Sequence, residues 1–420
     1  MEWPGEGVSS RVVFRVDAAG AQMSDDVIQP STKAAARTRR ARTPPTGDQE
    51  PSGAAPAPAP GPRARPRVGL ALSGGGFRAT AFGLGALRAL HDRGILGDVT
   101  VVSGISGGSL LAAMWAYGPE SFADFDAGVT DLVTTGLHWE LARRALAPRA
   151  VLAAGVSLMT AVTGRPRSNT RTEALVRALA ARPFGRRRLG DVTRSGLATI
   201  ISATDLATGN AVRFGSRVSS LSPVGDIAEP VLVADAVAGS AAFPALLPPL
   251  NRTYTFVGRD GTRERRTLLM TDGGVYDNLG LTPLLPGRSA AHTSHVYDLD
   301  YIIAVDAGQG RRVRTAPNFM LGRLKRSFEI AYGKAQDGSR ARLNQAAEAG
   351  ALKGFVNTYL ATRDERLPVP IAGLVPREAI IDYPTDFARM TPENLRLTAT
   401  RGEQLTRALA AHYCPQLGAV

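Results

Sequence analysis

A serine set between glycines, where a strand turns into a helix, most constrains how this chain folds. Residues 104–109 read Gly-Ile-Ser-Gly-Gly-Ser and directly follow the apolar run of residues 99–102. Leucine and alanine then recur up to Tyr117, which predicts a helix. A sharp strand-to-helix turn strains its central residue, and the flanking glycines remove Cβ atoms that would clash. The pattern Gly-x-Ser-x-Gly therefore predicts that Ser106 presents its hydroxyl at a helix N-terminus, as a nucleophile does.

A second glycine turn lies one strand-helix unit earlier. Residues 68–72 form an apolar run, residues 73–76 read Ser-Gly-Gly-Gly, and a helical pattern continues to residue 90. Such a turn leaves backbone N–H groups unpaired at a positive helix end, which suits a negatively charged oxygen. Residues 74–79 also match the Gly-x-Gly-x-x-Ala dinucleotide pattern. However, the next strand, residues 99–102, lacks the terminal acid that a Rossmann unit places there.

A serine hydroxyl needs a base before it can act as a nucleophile. Asp272 ends an apolar run and stands in the turn Thr-Asp-Gly-Gly, which makes it the preferred partner of Ser106. An aspartate in a turn commonly only caps its own backbone, so this motif alone is not decisive. Asp277 is the alternative carboxylate. His292 and His295 are the histidine alternatives, and both lie in a polar stretch typical of a surface loop.

These motifs, in this order, resemble those of the patatin-like phospholipase family. That family combines a glycine-rich oxyanion turn, a Gly-x-Ser-x-Gly elbow and a later Asp-Gly-Gly motif. The resemblance implies that Ser106 is the nucleophile and Asp272 its partner, in a dyad without histidine. The residues that it assigns to the oxyanion hole are Gly74, Gly75, Gly76 and Phe77. The segment 236–250, with small residues before Phe-Pro, also resembles the family segment that precedes the aspartate.

The first glycine turn has a second resemblance. The sequence Ser-Gly-Gly-Gly-Phe-Arg-Ala is similar to the glycine turn of cytosolic phospholipases A2, and this resemblance implies that Arg78 engages a substrate phosphate. An arginine in the first turn of a helix opposes the helix dipole, so a nearby anion is expected in any case. A salt bridge to a carboxylate is therefore the alternative role for Arg78.

The family resemblance also implies a fold and a division of the chain. We expect an α/β protein, a patatin-like three-layer sandwich with a central, mainly parallel sheet and helices on both faces. Residues 67–310 would form the catalytic core and residues 311–420 a basic, largely helical extension packed on it. Residues 1–66 are rich in proline, alanine and arginine, which predicts a disordered tail. Met23 is an alternative start of translation.

The implied function is a serine acyl-lipid hydrolase of the phospholipase A or lysophospholipase type, which forms an acyl-serine intermediate. An acyl lipid or phospholipid is then the substrate, and no cofactor or metal is expected. A neutral-lipid esterase or an acyltransferase could use the same dyad, and a catalytically idle membrane- or nucleotide-binding protein is a further alternative. The single cysteine, Cys414, excludes an internal disulfide framework, and only five histidines disfavour a metal site.

The net charge of +13 predicts an anionic partner. The densest basic stretch is residues 311–342, where apolar residues recur at helical spacing, namely Leu321, Leu324, Phe328 and Tyr332. Our first interpretation is a helix that packs this stripe on the core and exposes a solvated basic face. The second is a surface attracted to anionic lipid headgroups. Nucleic acid is not expected, since no binding motif accompanies the charge.

The chain contains no run of about 18 apolar residues and no signal-peptide pattern at its start. We therefore expect a cytoplasmic protein, with peripheral attachment to a membrane as an extension of that prediction. Residues 138–167 have an apolar centre, residues 150–162, that is too short to cross a bilayer. We expect a core helix there, and a lid or membrane-dipping helix is the alternative.

Overall fold

A computed structural model describes residues 65–137, 170–244, 246–310 and 318–418. The predictions for the N-terminal tail before residue 65, for Met23 and for the helix of residues 138–167 therefore lie outside the described residues. The described helices are α1 Gly76–Asp92, α2 Gly107–Tyr117, α3 Phe122–Thr135, α4 Arg171–Leu179, α5 Val233–Ser240, α6 Gly274–Asp277, α7 Met320–Glu348 and α8 Pro392–Tyr413. The described strands are β1 Val68–Leu72, β2 Val99–Gly104, β3 Ala198–Asp205, β4 Ala211–Gly215, β5 Ser220–Leu221, β6 Gly225–Ile227, β7 Leu250–Val257, β8 Arg263–Asp272, β9 Tyr301–Asp306 and β10 Gly354–Tyr359.

One half of the sheet is parallel. Its strands run in the order β10-β9-β1-β2-β3, and each neighbouring pair is parallel. The first strands, β1 and β2, are almost entirely buried apolar runs, as expected for parallel strands covered on both faces. Both glycine turns leave this half at the carboxyl ends of β1 and β2, so they meet at one edge of the sheet.

The other half of the sheet closes on itself, and this corrects the predicted fold class. Strands β3 to β8 pair antiparallel in chain order, and β8 returns to pair with β3. Six antiparallel pairings therefore form a closed six-stranded barrel, against four parallel pairings in the rest of the sheet. The prediction of a three-layer sandwich around a central, mainly parallel sheet was wrong, because a barrel has no two open faces to cover.

Side chains alternate between two cores along the parallel strands. Leu70 and Leu72 face the larger core with α1, α2 and α8, whereas Ala71 faces a smaller core. That smaller core contains Leu343 of α7 and Phe355 of β10. This period of two follows from the pleat of a strand, which points successive side chains to opposite faces.

The chain after residue 310 contributes both a strand and a helix to this structure. Strand β10 extends the parallel half of the sheet beside β9, and α8 packs along α1. The division of the chain at residues 66 and 310 stays a prediction. Within the described residues, no helix combines the length and apolarity needed to cross a membrane.

Candidate active site

Ser106 occupies the strained turn that its sequence predicted. It lies between β2 and α2 with φ 50° and ψ −120°, and no other described residue except glycine has a positive φ. A side chain in this region of backbone space is held there only by surrounding structure. The Ser106 carbonyl accepts a hydrogen bond from the Ser109 hydroxyl at 2.7 Å, which ties the turn to the first turn of α2.

The glycine after Ser106 allows the two glycine turns to touch. A Cβ atom on Gly107 would lie 2.0 Å from the carbonyl oxygen of Gly76, at the start of α1. No rotation of a side chain relieves a clash with backbone, so only glycine fits between these turns. The close approach brings the Ser106 turn against the turn predicted to hold the oxyanion.

Asp272 ends β8 at the pairing that closes the barrel, opposite Ala203 of β3. Its carboxylate accepts a hydrogen bond from the Gly274 N–H at 2.7 Å and a second one from the Ser106 hydroxyl. Burial raises the pKa of Asp272 to about 6, although both hydrogen bonds act to lower it. The structure thus joins the serine and the aspartate that the sequence placed 166 positions apart.

Ser240, at the end of α5, holds the Ser106 and Asp272 turns together. Its hydroxyl accepts a hydrogen bond from the Ser106 N–H at 2.9 Å. Its carbonyl oxygen accepts one from the Gly273 N–H at 3.1 Å. The surrounding segment is recognisable in the sequence but this residue is not, since a buried serine in a small-residue helix carries no local signal of its partners.

The predicted oxyanion residues divide into two groups. The Gly74 N–H donates to the Asn278 carbonyl at 3.0 Å, and the Phe77 N–H donates to the Asp386 carbonyl at 2.8 Å. Both are therefore engaged by protein, which corrects their assignment as oxyanion donors. Within the two glycine turns, the N–H groups of Gly75, Gly76 and Gly107 have no acceptor among the described residues. Gly107 was not predicted as a donor, although the residue after a nucleophile commonly has this role.

Arg78 is buried, and its guanidinium binds protein oxygens. The Nε donates to the Ala307 carbonyl at 3.0 Å. The Nη1 donates at 2.7 Å to the Tyr383 carbonyl and at 2.7 Å to the Thr385 hydroxyl. The oxygens that accept these three hydrogen bonds are neutral ones, from the chain after β9 and from residues 383–387. This geometry gives no support to a substrate phosphate at Arg78.

Two further side chains line the Asp272 turn. Asn278 is buried, and its Oδ1 lies 2.7 Å from the position that a Cβ atom on Gly274 would take. The Tyr332 hydroxyl, from α7, lies 2.9 Å from the same position. Burial, and then the charge of Asp272, raises the pKa of Tyr332. From the sequence, Tyr332 is recognisable only as part of an apolar stripe.

Two of the three alternative bases have hydrogen-bond partners elsewhere. Asp277 accepts a hydrogen bond from the Thr282 N–H at 2.7 Å. The buried His295 lies 3.1 Å from the Ser220 hydroxyl through its Nε2, and His292 is exposed. None of the three hydrogen bonds to Ser106 in the part of the chain that the structure describes. No group of three or more His, Cys, Asp or Glu side chains among those residues could hold a metal ion.

The fold and site define a class of protein. A family model described as Patatin-like phospholipase matches residues 70–285, slightly more than half of the chain. The protein therefore belongs to the patatin-like phospholipase family, which confirms the resemblance of its motifs. No curated protein sequence matches the chain.

Several solved structures are similar to the chain. Human GIVD cytosolic phospholipase A2 is 14% identical over 82% of this chain and 59% of that chain, with a TM-score of 0.47. Its complex with methyl gamma-linolenyl fluorophosphonate is 14% identical over 82% and 57%, with a TM-score of 0.48. VipD from Legionella pneumophila is 15% identical over 83% and 67%, with a TM-score of 0.37. The chain thus spans less than two thirds of the length of these phospholipase A2 structures.

Proposed function

We propose that the protein is an acyl-lipid hydrolase of the phospholipase A or lysophospholipase type. The observation that carries this proposal is the hydrogen bond between the Ser106 hydroxyl, in its strained turn, and the buried Asp272 carboxylate. Membership of the patatin-like phospholipase family supports a lipid ester as the substrate.

The reaction follows from this pair. The Ser106 Oγ bonds to the ester carbonyl carbon while its proton passes to Asp272. The tetrahedral intermediate then collapses, the bond to the alcohol breaks, and the alcohol takes the proton from Asp272. Water attacks the acyl-serine in the second half, with Asp272 accepting its proton. The bond between the acyl carbon and the Ser106 Oγ then breaks, the fatty acid leaves, and Ser106 recovers the proton from Asp272.

The negative charge on the intermediate needs donors beside Ser106. The N–H groups of Gly75, Gly76 and Gly107 have no acceptor among the described residues and lie where the two glycine turns touch. We propose them as the oxyanion hole, which keeps Gly75 and Gly76 of the four residues taken from the sequence, omits Gly74 and Phe77, and adds Gly107. One such donor typically contributes a factor of about 10² to 10³ in rate.

A comparison of three proteins tests this function. Fatty acid release from a phospholipid and from a short neutral ester is measured for wild type, Ser106→Ala and Asp272→Asn. Both variants should lose turnover on both substrates, whereas Ser294→Ala, which removes an exposed hydroxyl bound to Asp226, should keep it. Wild-type turnover on the neutral ester alone, or transfer of the acyl group to an added alcohol, would identify the esterase or acyltransferase instead. An inactive but folded wild type would contradict the proposal.

The exposed N-terminal end of α7 supports the proposal that the reaction takes place at a membrane. Leu324 and Phe328, which we expected to pack on the core, are 59% and 41% exposed. Phe319 and Met320, just before them, are also exposed, and Arg323 is the first of several exposed cations. The side chain of Leu321 is not described. Apolar and basic side chains on one exposed helix are typical of binding to anionic lipid surfaces.

We therefore propose a cytoplasmic protein that docks peripherally on anionic membranes through this end of α7. Co-sedimentation with vesicles of anionic phospholipid should show binding that is lost in Leu324→Glu and kept in Val296→Glu. Val296 is a matched control, since it is also an exposed apolar residue but lies outside α7. Turnover of a soluble ester should be the same in both variants. Equal vesicle binding by the two variants would exclude this surface.

A further inference from the structure

A cavity of about 270 Å³ lies on the outer side of the barrel. It is distinct from the Ser106 turn, since neither Ser106 nor Asp272 lines it. The polar side chains that line it include Arg213, Ser222, Tyr276, Arg288, His292 and Thr293. Two arginines thus face one small space, which is an unusual arrangement without a counter-charge.

Arg213 lies on β4, and its neighbours Val212 and Phe214 belong to the core inside the barrel. The alternation of a strand therefore turns Arg213 outward, toward the cavity. The residue is only 5% exposed overall, its side chain lines the cavity, and no hydrogen bond or salt bridge joins its guanidinium to any described residue. A buried charge normally has a partner, so this guanidinium lacks one that the cavity could supply.

Arg288 adds a second positive charge and is fixed in place. Its guanidinium donates to the His295 carbonyl at 3.0 Å, the Thr282 carbonyl at 2.9 Å and the Thr293 hydroxyl at 3.1 Å, all of them neutral oxygens. Burial, and then the charge of Arg213, lowers the pKa of Arg288. The charge of Asp277 raises the pKa of Arg288, but no salt bridge joins these two side chains in the described residues.

His295 is a neighbour of Arg288 that supplies no anion. It is buried, its carbonyl oxygen accepts from the Arg288 Nε, and its Nδ1 has no hydrogen-bond partner among the described residues. Burial, and then the charges of Arg213 and Arg288, lowers the pKa of His295 to about 3, so its ring is neutral at pH 7. The two guanidinium groups therefore remain the dominant charges of the site.

We propose that this cavity binds a phosphate group, held by Arg213 and Arg288. A guanidinium presents a planar fork of N–H donors that matches the oxygens of a phosphate, and hydroxyls such as Thr293 suit its remaining oxygens. The volume accommodates a phosphate with a small substituent. A ligand here would neutralise two positive charges that face the same cavity.

The position of the cavity leaves two sources for the phosphate. Tyr276, in its lining, belongs to the short helix α6 that follows Asp272 and Gly273 directly. A lipid headgroup could therefore reach the cavity from the Ser106 site. A soluble phosphate compound could equally enter from the open side and act on the Asp272 turn through Tyr276.

Titration with inorganic phosphate tests the binding site itself. Calorimetry at constant ionic strength, with chloride as the reference anion, should show saturable phosphate binding by wild type and by Ser106→Ala. Arg213→Gln should weaken that binding by about tenfold or more. Arg217→Gln should leave it unchanged, since Arg217 carries the same charge four residues away but does not line the cavity. Failure of wild type to bind phosphate, or equal binding by Arg213→Gln, would overturn the proposal.

Because the phosphate titration needs no turnover, it remains valid if the proposed hydrolase function fails. A second arm rests on that function and separates the two sources. Arg213→Gln should raise KM for a monomeric short-chain phospholipid about tenfold, with KM for a neutral ester unchanged, when the ligand is the headgroup. If Arg213→Gln loses phosphate binding but has the same KM for the phospholipid as wild type, the ligand is a soluble phosphate compound.

Stability serves as the folding control. Removal of an unpaired buried charge should raise the Tm of Arg213→Gln in phosphate-free buffer, and added phosphate should raise the Tm of wild type only. His292→Ala changes an exposed residue at the rim of the cavity, so it should fold normally and weaken phosphate binding to a smaller extent. If the Tm of Arg213→Gln in phosphate-free buffer were lower than that of wild type, the guanidinium would have a stabilising partner and the proposal would lose this support.

Discussion

In the proposed reaction Asp272 must be ionised to accept the proton of Ser106, and its burial opposes ionisation. Burial raises the pKa of Asp272 to about 6, so the fraction of charged carboxylate falls below that pH. We predict that kcat/KM for a soluble neutral ester decreases about tenfold for each pH unit below 6. Rates measured between pH 4.5 and 8 in wild type check this. A rate that stays constant down to pH 4.5 would contradict Asp272 as the base.

The charged Asp272 carboxylate should also lower the free energy of unfolding. The pKa of Asp272 in the folded protein, about 6, lies above its ordinary value of 3.8. The folded chain therefore binds the proton of the Asp272 carboxyl more tightly than the unfolded chain does. The stability that this protonation contributes is lost as the pH rises through 6. At pH 8 the charged carboxylate destabilises the fold by about 3 kcal/mol.

Asp272→Asn removes that charge but keeps an acceptor for the Gly274 N–H. We predict that this variant unfolds at a higher denaturant concentration than wild type at pH 8, although it is inactive. The difference should shrink toward pH 4, where the wild-type carboxyl is protonated as well. Denaturant unfolding at the two pH values measures it, and a less stable variant at pH 8 would show that the charge is well compensated.

Single residues could be predicted where chemistry demands a local pattern. Ser106 and Asp272 each stand in a glycine turn after an apolar run, and such turns are visible in the sequence. The sequence could not show that the N–H groups of Gly74 and Phe77 are engaged, because their acceptors come from distant segments. Ser240 reaches the site through tertiary contacts alone, and nothing in its local sequence reports them.

At the scale of elements, the strand-turn-helix units were predictable but their arrangement was not. The apolar runs of β1 and β2 identify buried strands, yet a five-residue run does not show which strand lies beside it. Closure of the barrel depends on the pairing of β8 with β3, across a separation of more than sixty residues in sequence. The family resemblance supplied a parallel sandwich in place of this pairing, and that was wrong.

Arg78 connects α1 to the segment of residues 383–387. This segment also accepts the Phe77 N–H through Asp386, so it supports the turn that carries Gly75 and Gly76. We predict that Arg78→Ala lowers kcat by about ten- to hundredfold through misplacement of that turn. The loss should be equal for a phospholipid and a neutral ester, in contrast to Arg213→Gln. A loss confined to the phospholipid would restore the phosphate role that the sequence implied.

At the scale of the whole molecule, the chain beyond residue 285 completes a structure that the family match covers only in part. Helix α8 packs on α1, and a Cβ atom on Gly402 would lie 2.1 Å from the Phe82 carbonyl oxygen. The close crossing of these helices thus requires a glycine there. The sequence predicted a helical extension but not this contact, since a lone glycine inside a helix does not reveal its neighbour.

Gly402→Ala should therefore separate α8 from α1 and lower the free energy of unfolding by about 1 to 3 kcal/mol. Gly338→Ala in α7 is the matched control, because nothing lies within 4 Å of the Cβ it would add. The control should be neutral or slightly stabilising, since alanine favours a helix over glycine. Thermal unfolding of both variants gives the comparison, and equal Tm values would contradict tight packing of α8 on α1.

Reaction with a fluorophosphonate probe tests directly whether the Ser106–Asp272 pair is the catalytic centre. Such a probe bonds to a serine oxygen only when that oxygen is activated and an oxyanion site accepts the phosphoryl oxygen. Peptide mass mapping of the labelled wild-type protein should find one adduct, on Ser106, and labelling should be absent in Ser106→Ala and strongly reduced in Asp272→Asn. An unlabelled, folded wild type, or an adduct on another serine, would contradict the Ser106–Asp272 pair as the catalytic centre.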